Sequence, residues 1–156
     1  MKTIYRHYGS DHFDNTLVKP IKNRDTWGKP SGGFWASSVD AKVSWREWCE
    51  SEDYNMQKLK KSFDFTLRDN AKILHIKSKA DFEKIKHEHP DWFIEPKWGF
   101  IEKAFLDFEK LSNLFDAIEI NAGSDRELYF NFYGWDCDSI VIFNLNCVEY
   151  AKEKEQ

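Results

Sequence analysis

The sequence predicts a single α+β domain. Many short apolar stretches have the composition of β-strands, and only a few stretches show a helical spacing of apolar residues. The two kinds of stretch do not alternate regularly, which disfavours a doubly wound parallel sheet. With 156 residues, the chain has the size of one domain. We therefore expect one domain over residues 1–150, followed by a charged tail over residues 151–156.

The most apolar stretch of the chain predicts its central strand. Residues 140–143 are Ile, Val, Ile and Phe, an unbroken run that is typical of a strand buried on both faces. Asp136 and Asp138 stand directly before it, and side chains at i and i+2 of an extended chain point to one face. Two like charges on one face beside a buried strand cost stability unless something binds or titrates there, which indicates a site. The alternative is that both are turn or strand-start residues, solvated or bonded to backbone N–H groups.

Six further strands are predicted ahead of the central one. Residues 63–67 alternate between apolar and polar side chains, and the other strands are short runs rich in apolar or aromatic residues. In chain order they cover residues 3–8, 34–38, 63–67, 71–76, 117–120 and 127–132. Between the first two, residues 11–33 are rich in Asp, Asn, Lys, Pro and Gly, which predicts an irregular loop that a ligand can reach.

Three helices are predicted between these strands. The clearest one begins at Ser78, which with Asp81 has the spacing of a capping box, and it ends near Pro90. The other two cover residues 39–52, with Trp45 and Trp48 on the packed side, and residues 107–115.

Composition and charge disfavour several classes of partner. The 23 basic and 27 acidic residues give a formal net charge of −4 without a basic block, so we do not expect a nucleic-acid partner. Three cysteines without a Cys-x-x-Cys pair disfavour a disulfide framework or a zinc site, and we expect no metal. No apolar run approaches the length of a membrane span, which predicts a soluble cytoplasmic protein without a membrane partner.

Three short motifs resemble those of the ADP-ribosyltransferase superfamily. The run from His7 to Ser10, His-Tyr-Gly-Ser, is similar to the His-Gly-Ser/Thr motif that this family carries on its first strand. Residues 34–38, Phe-Trp-Ala-Ser-Ser, are similar to the aromatic-Ser motif of its next strand, and Asp138 matches the late acidic residue, which is usually Glu. The resemblance implies a split, mostly antiparallel sheet that holds NAD in its cleft. The chain also resembles uncharacterised proteins of bacteria and their phages, which implies no function.

The resemblance implies a role for nine residues. Asp138 stabilises the positive charge that develops on the ribose as the nicotinamide bond breaks, and Asp136 orients the acceptor. The other seven hold NAD, which is the substrate. His7 hydrogen-bonds the adenosine ribose, and Lys29 faces the phosphates. At the nicotinamide, Gly9 approaches the amide, Tyr8 or Trp35 stacks on the ring, and Ser37 or Ser38 hydrogen-bonds its surroundings.

Three functions follow as hypotheses. The first is the transfer of ADP-ribose from NAD to an acceptor such as a protein, or the hydrolysis of NAD. The second is a non-catalytic, phage-related interaction protein that keeps the fold, and the third is a binder of nucleotides or RNA ends that uses Arg24 and Lys29. Convergence of His7, Trp35 and Asp138 on one cleft favours the first function, whereas an Asp138 buried against the backbone counts against it. A broad exposed aromatic patch favours the second.

Overall fold

The computed structural model of the protein describes residues 2–24, 28–94, 105–132 and 135–150. The predicted tail over residues 151–156 lies outside this range. Within it, short strands and four short helices confirm the α+β class. The strands are β1 (Tyr5–Tyr8), β2 (Lys19–Lys22), β3 (Ser31–Ser38), β4 (Ser62–Leu67), β5 (Ile73–Ile76), β6 (Phe93–Ile94), β7 (Phe105–Leu106), β8 (Ala117–Asn121), β9 (Asp138–Ile142) and β10 (Val148–Tyr150). The helices are α1 (Trp45–Glu52), α2 (Lys79–Glu88), α3 (Phe108–Leu111) and α4 (Arg126–Asn131).

Most of the strands form one eight-stranded sheet. Its order is β10-β4-β1-β3-β9-β8-β5, with β2 paired to β3, while β6 and β7 pair separately. The sheet is mixed, because β5 and β8 run parallel and the other paired strands are antiparallel. β9 lies between β3 and β8, and all five of its residues are buried. The prediction of a central strand buried on both faces is therefore confirmed.

Alternation along β3 separates the two faces of the sheet. Phe34 belongs to one core, together with Ile140 and Ile142 of β9, and we call this side the Phe34 face. Trp35 packs against the other core, together with Val141, and we call this side the Trp35 face. Apolar side chains of α2, α3 and α4 cover part of the Trp35 face. Among the described residues, no helix is long and apolar enough to cross a membrane.

On the side away from β9, β3 pairs with two different strands along its length. β1 pairs with Ser37 and Ser38, whereas β2 pairs with Ser31 and Gly33. The predicted irregular loop over residues 11–33 is thus wrong in part, because it contains β2 and the start of β3. Gly32 and Gly33, at the end of that predicted loop, lie inside β3 with φ of 81° and 74°. Their missing side chains allow β2 and β9 to pack closely against this part of β3.

Helix α1 is shorter than predicted. It begins at Trp45, because Ser44 forms a capping box with Glu47 in which each side chain accepts from the backbone N–H of the other. The helix predicted over residues 39–52 therefore starts too early, because the apolar spacing alone does not include this start signal. The prediction for the next helix is confirmed, since Ser78 Oγ accepts from the Asp81 N–H at the start of α2.

The strand predicted over residues 127–132 is wrong, because this segment forms helix α4. Its sequence alternates Leu128, Phe130 and Phe132, which suggested a half-buried strand. In the structure Phe130 is 63% exposed, while Leu128 and Phe132, one helical turn apart, are buried. Asp125 caps the helix by accepting from the Leu128 N–H at 3.1 Å.

Candidate functional site

A cleft of about 210 Å³ lies on the Trp35 face, and we call it the Trp35 cleft. β1, β3 and the residues before β9 form one side, and α1 with the 3₁₀ turn that follows it forms the other. Its aromatic lining comes from Tyr8, Trp35, Trp45 and Trp135. Asp136, Lys29 and Lys58 contribute charged groups. The cleft therefore combines aromatic rings with a few polar atoms, which is the usual character of a small-molecule site.

Two tryptophans on the sheet side of the cleft are held by hydrogen bonds. The Trp35 ring packs edge-on against Trp135, with the ring centroids 4.7 Å apart. Trp35 Nε1–H donates to the Gly32 carbonyl at 2.8 Å, and Trp135 Nε1–H donates to the Gly28 carbonyl at 2.9 Å. Because both indoles use their single donor on the backbone, this wall is fixed before any ligand arrives.

The opposite wall belongs to an aromatic cluster at α1. Trp45 stacks on Trp48 with the ring centroids 5.2 Å apart and the planes 16° from parallel, and Tyr54 contacts both rings edge-on. The Trp45 N–H donates to Ser37 Oγ at 3.2 Å, which ties the start of α1 to β3. Ser37 Oγ also donates to the Asp138 carbonyl at 2.9 Å. Ser37 thus borders the cleft, but its hydroxyl is used in bonds that hold β3, α1 and the start of β9 together.

Two titratable side chains in the cleft are shifted toward their neutral forms. Lys29 Nζ lies over the Trp35 ring, 4.7 Å from its centroid, and burial lowers the pKa of Lys29 although Asp136 opposes this. Burial also raises the pKa of Asp136, with Lys29 acting in the opposite direction. The Cys137 thiol, which borders the same cleft, has its pKa raised to about 12 by burial, so it stays protonated and is a poor nucleophile.

Asp138 does not share the cleft with Asp136. It is 5% exposed, and its carboxylate accepts from the Ser124 N–H at 2.9 Å, from the Ser124 hydroxyl and from the Val43 N–H at 3.4 Å. It borders a different depression, together with Asn121 and Ser124. The prediction that both carboxylates share one face is wrong, because β9 begins only at Asp138 and strand alternation does not extend back to Asp136. Asp138 is instead a strand-start residue bonded to backbone N–H groups, and this counts against its predicted catalytic role.

His7 presents its ring to the Phe34 face. The imidazole stacks on Phe34, with the centroids 4.5 Å apart, and contacts Phe63. Nδ1 lies 2.6 Å from the Trp35 carbonyl and donates to it, since a carbonyl oxygen only accepts. This bond occurs where β1 leaves β3, so His7 replaces a missing ladder hydrogen bond. Of the predicted trio, His7 and Trp35 both border the cleft, although the His7 ring is stacked on Phe34, and Asp138 does not border it.

The half-buried position of His7 predicts a pH-dependent stability. Burial lowers the pKa of His7 below its ordinary value of 6.5, so the unfolded chain takes up a proton before the folded one does. The stability is therefore present above that value and is lost as the pH falls through the folded pKa. We expect His7→Gln, whose amide can still donate to the carbonyl, to flatten the decline in unfolding free energy between about pH 7.5 and about pH 5. Urea denaturation across this range measures it, with the exposed His87→Gln as the control that keeps the wild-type slope; equal slopes for both variants would contradict the role of His7.

The remaining predicted residues divide between the cleft and the fold. Tyr8, Lys29, Trp35 and Asp136 border the cleft, as Ser37 does. Gly9 and Ser38 lie outside it: the Gly9 N–H donates to the Lys61 carbonyl at 2.9 Å, and Ser38 Oγ accepts from the Asp40 N–H at 3.2 Å. The Gly9 bond extends the pairing of β1 with β4, and the Ser38 bond stabilises the turn that follows β3.

Arg6 is a lining residue that the sequence reasoning missed. Arg6 and Tyr8 lie two residues apart in β1, so their side chains point to the same face of the strand. Once Tyr8 is assigned to the cleft, Arg6 follows. Its guanidinium donates two hydrogen bonds, of 2.6 and 2.9 Å, to the Asp64 carboxylate. This ion pair raises the pKa of Arg6 and largely neutralises its charge. The other lining residues that were not assigned to the site are Ala36, Trp45, Asn55, Lys58, Trp135, Cys137 and Ser139.

Comparisons with known proteins identify no relative of the chain. No protein-family model matches it, and neither the curated proteins nor the solved structures contain a match. Within the described residues, no group of three or more His, Cys, Asp or Glu side chains is placed to hold a metal ion. Inferences about function therefore rest on the residues of the Trp35 cleft.

Proposed function

We propose that the Trp35 cleft binds NAD or a related nucleotide by taking up one of its flat rings. The observation that carries this proposal is the aromatic lining from Tyr8, Trp35 and Trp45, because nicotinamide and the bases stack readily on aromatic side chains. The volume of about 210 Å³ is below the range of about 300–1,000 Å³ that is usual for whole drug-sized ligands. The cleft accordingly suits one ring, with the sugar and phosphates of the nucleotide outside.

The order of the strands supports NAD as the ligand. The motifs that resemble the ADP-ribosyltransferase superfamily lie on β1 and β3 and at the start of β9, and these strands are neighbours in the sheet. Asp138 is engaged by Ser124 and Val43, so Asp136 is the carboxylate that we assign to the charge developing on the ribose. ADP-ribose transfer or NAD hydrolysis in this cleft then depends on Asp136, and its acceptor is a protein or water.

The proposal predicts an aromatic dependence of nucleotide binding. We expect wild-type protein to bind NAD and nicotinamide mononucleotide in calorimetric titrations, and Trp45→Ala to weaken both by about 5- to 150-fold, since stacking on one aromatic ring contributes about 1–3 kcal/mol. Phe130→Ala, which removes an exposed aromatic ring that does not line the cleft, is the matched control and should bind like wild type.

Two outcomes of these titrations contradict the proposal. One is the absence of binding at millimolar NAD, and the other is an equal loss of affinity in Trp45→Ala and Phe130→Ala. If NAD binds, release of nicotinamide that is lost in Asp136→Asn assigns catalysis to the cleft, whereas binding without release limits the protein to recognition.

A non-catalytic interaction protein is the second candidate function. The observation that favours it is the aromatic cluster of α1, which continues onto the surface through Tyr54, 50% exposed, and Met56, 42% exposed. Exposed aromatic and Met side chains beside a cleft are frequent in protein interfaces. Failure of every nucleotide to bind, in a protein that is folded, would favour this candidate.

A further inference from the structure

Lys29 places an ammonium group inside the Trp35 cleft. The residue is half-buried, and its Nζ lies 4.7 Å from the centroid of the Trp35 ring. A cation over the face of an indole is attracted by the negative charge of that face, so this contact favours the charged form of the amine. The positive charge therefore lies at the level of the aromatic rings, where a bound flat ring would lie.

The ammonium of Lys29 has no anionic partner among the described residues. In that part of the chain it takes part in no ion pair and donates no hydrogen bond, and Asp136 borders the same cleft without pairing with it. Burial removes water that would otherwise stabilise the charge, which lowers the pKa of Lys29. A half-buried cation without a partner is a place where a bound anion is stabilised.

The other charged groups of the cleft leave an excess of positive charge. Arg6 donates two hydrogen bonds to the Asp64 carboxylate, which largely neutralises its charge. Lys58 adds a second ammonium at the exposed rim, whereas Asp136 is the one carboxylate among the described lining residues. The charge of the cleft is thus complementary to an anionic ligand.

We propose that the Trp35 cleft binds a compact aromatic carboxylate, a flat ring with a carboxylate attached directly to it, which pairs with the Lys29 ammonium. The ring follows from the aromatic lining, and the volume of about 210 Å³ admits about one ring. The direct attachment follows from the position of Lys29 beside the Trp35 ring. The phosphate of a nucleotide is separated from its base by the sugar and would reach the rim near Lys58 instead.

Nicotinate and nicotinamide are a matched pair of ligands for testing this inference. They share the same pyridine ring and differ only in a carboxylate against a neutral amide. Both can stack on the aromatic lining, but only nicotinate can form an ion pair with Lys29. In calorimetric titrations of the wild-type protein at neutral pH, we expect nicotinate to bind more tightly than nicotinamide by about tenfold or more.

Three variants assign the preference to the charge of Lys29. Lys29→Met keeps an unbranched side chain beside Trp35 and should reduce the affinity for nicotinate to that for nicotinamide. Lys79→Met is the matched control, because Lys79 Nζ also lies over an aromatic ring, 5.1 Å from the centroid of Phe82, but outside the cleft. This variant should keep the preference. Asp136→Asn removes a negative charge from the cleft and should strengthen nicotinate binding.

Equal affinities of the wild-type protein for nicotinate and nicotinamide would overturn the proposal, and this comparison needs no variant. A preference for nicotinate that persists in Lys29→Met would overturn the role of Lys29. The inference goes beyond nucleotide binding and does not rest on it. Binding of NAD without binding of nicotinate would refute the carboxylate inference alone, whereas binding of nicotinate without binding of NAD would support it and refute the nucleotide proposal.

Discussion

Replacing Asp138 with alanine is expected to lower the free energy of unfolding by about 3–5 kcal/mol. The carboxylate is buried and accepts from the Ser124 N–H, the Ser124 hydroxyl and the Val43 N–H. Hydrogen bonds to a charged group contribute about 1.5–3 kcal/mol each, and their loss leaves backbone donors unpaired in the interior. Urea denaturation followed by tryptophan fluorescence measures the change.

Asp136→Ala is the matched control for this prediction. Asp136 lies two residues earlier in the same Asp-x-Asp pattern, but burial in the cleft disfavours its charged form. We expect its removal to change stability by less than about 1 kcal/mol. A large loss in Asp136→Ala, or a small loss in Asp138→Ala, would contradict the separation of the two carboxylates into a site residue and a structural residue.

Gly32→Ala is expected to be the second strongly destabilising substitution. A Cβ at Gly32 would lie 2.0 Å from the Pro20 carbonyl oxygen, and the backbone there has a φ of 81°. The left-handed conformation costs about 1–2 kcal/mol for a residue with a Cβ, and the clash must also push β2 away from β3. We expect a total cost of about 3 kcal/mol or more, which lowers the thermal midpoint of a chain of this size by about 6–12 °C.

Gly9→Ala separates backbone strain from the clash. Gly9 also has a positive φ, 107°, but a Cβ there would meet nothing within 4 Å. The variant should therefore show only the strain of about 1–2 kcal/mol. If Gly9→Ala costs as much as Gly32→Ala, the close contact between β2 and β3 is not what requires glycine.

Burial on both faces made the centre of the fold predictable. Ile140 and Ile142 enter one core and Val141 enters the other. Such a strand can be predicted without knowing which of its faces points inward, because both do. α2 was equally accessible because Ser78 and Asp81 form a local cap that depends on no distant residue.

Elements whose identity depends on distant packing were harder to predict. In residues 127–132 the alternation of apolar side chains matches a strand, and only the exposure of Phe130 shows that the period is helical. The cap at Asp125 and the pair Leu128 and Phe132, four residues apart, were the available signals. Helix and strand patterns remain ambiguous over such a short segment.

The candidate site was predictable in its location but not in the faces of its residues. Tyr8, Lys29, Trp35 and Asp136 border one cleft. The orientation of His7 follows from the register of β1, and a shift of one residue in a strand moves a side chain to the opposite face. In the same way, the residue at which β9 begins determines the face to which the Asp138 side chain points, and nothing in the local sequence marks that residue.

Whether a nucleotide ring enters the Trp35 cleft is tested most directly by the indole N–H signals in a nuclear magnetic resonance titration with NAD. The signals of Trp35 and Trp45 should move together as NAD is added, because both rings line the cleft, while the signal of Trp92, which packs against the same core but does not line the cleft, should stay in place. Unchanged Trp35 and Trp45 signals at millimolar NAD would contradict binding in this cleft. Shifts of the backbone amide signals centred on Ser124 and Asp138 in the same spectra would contradict it as well.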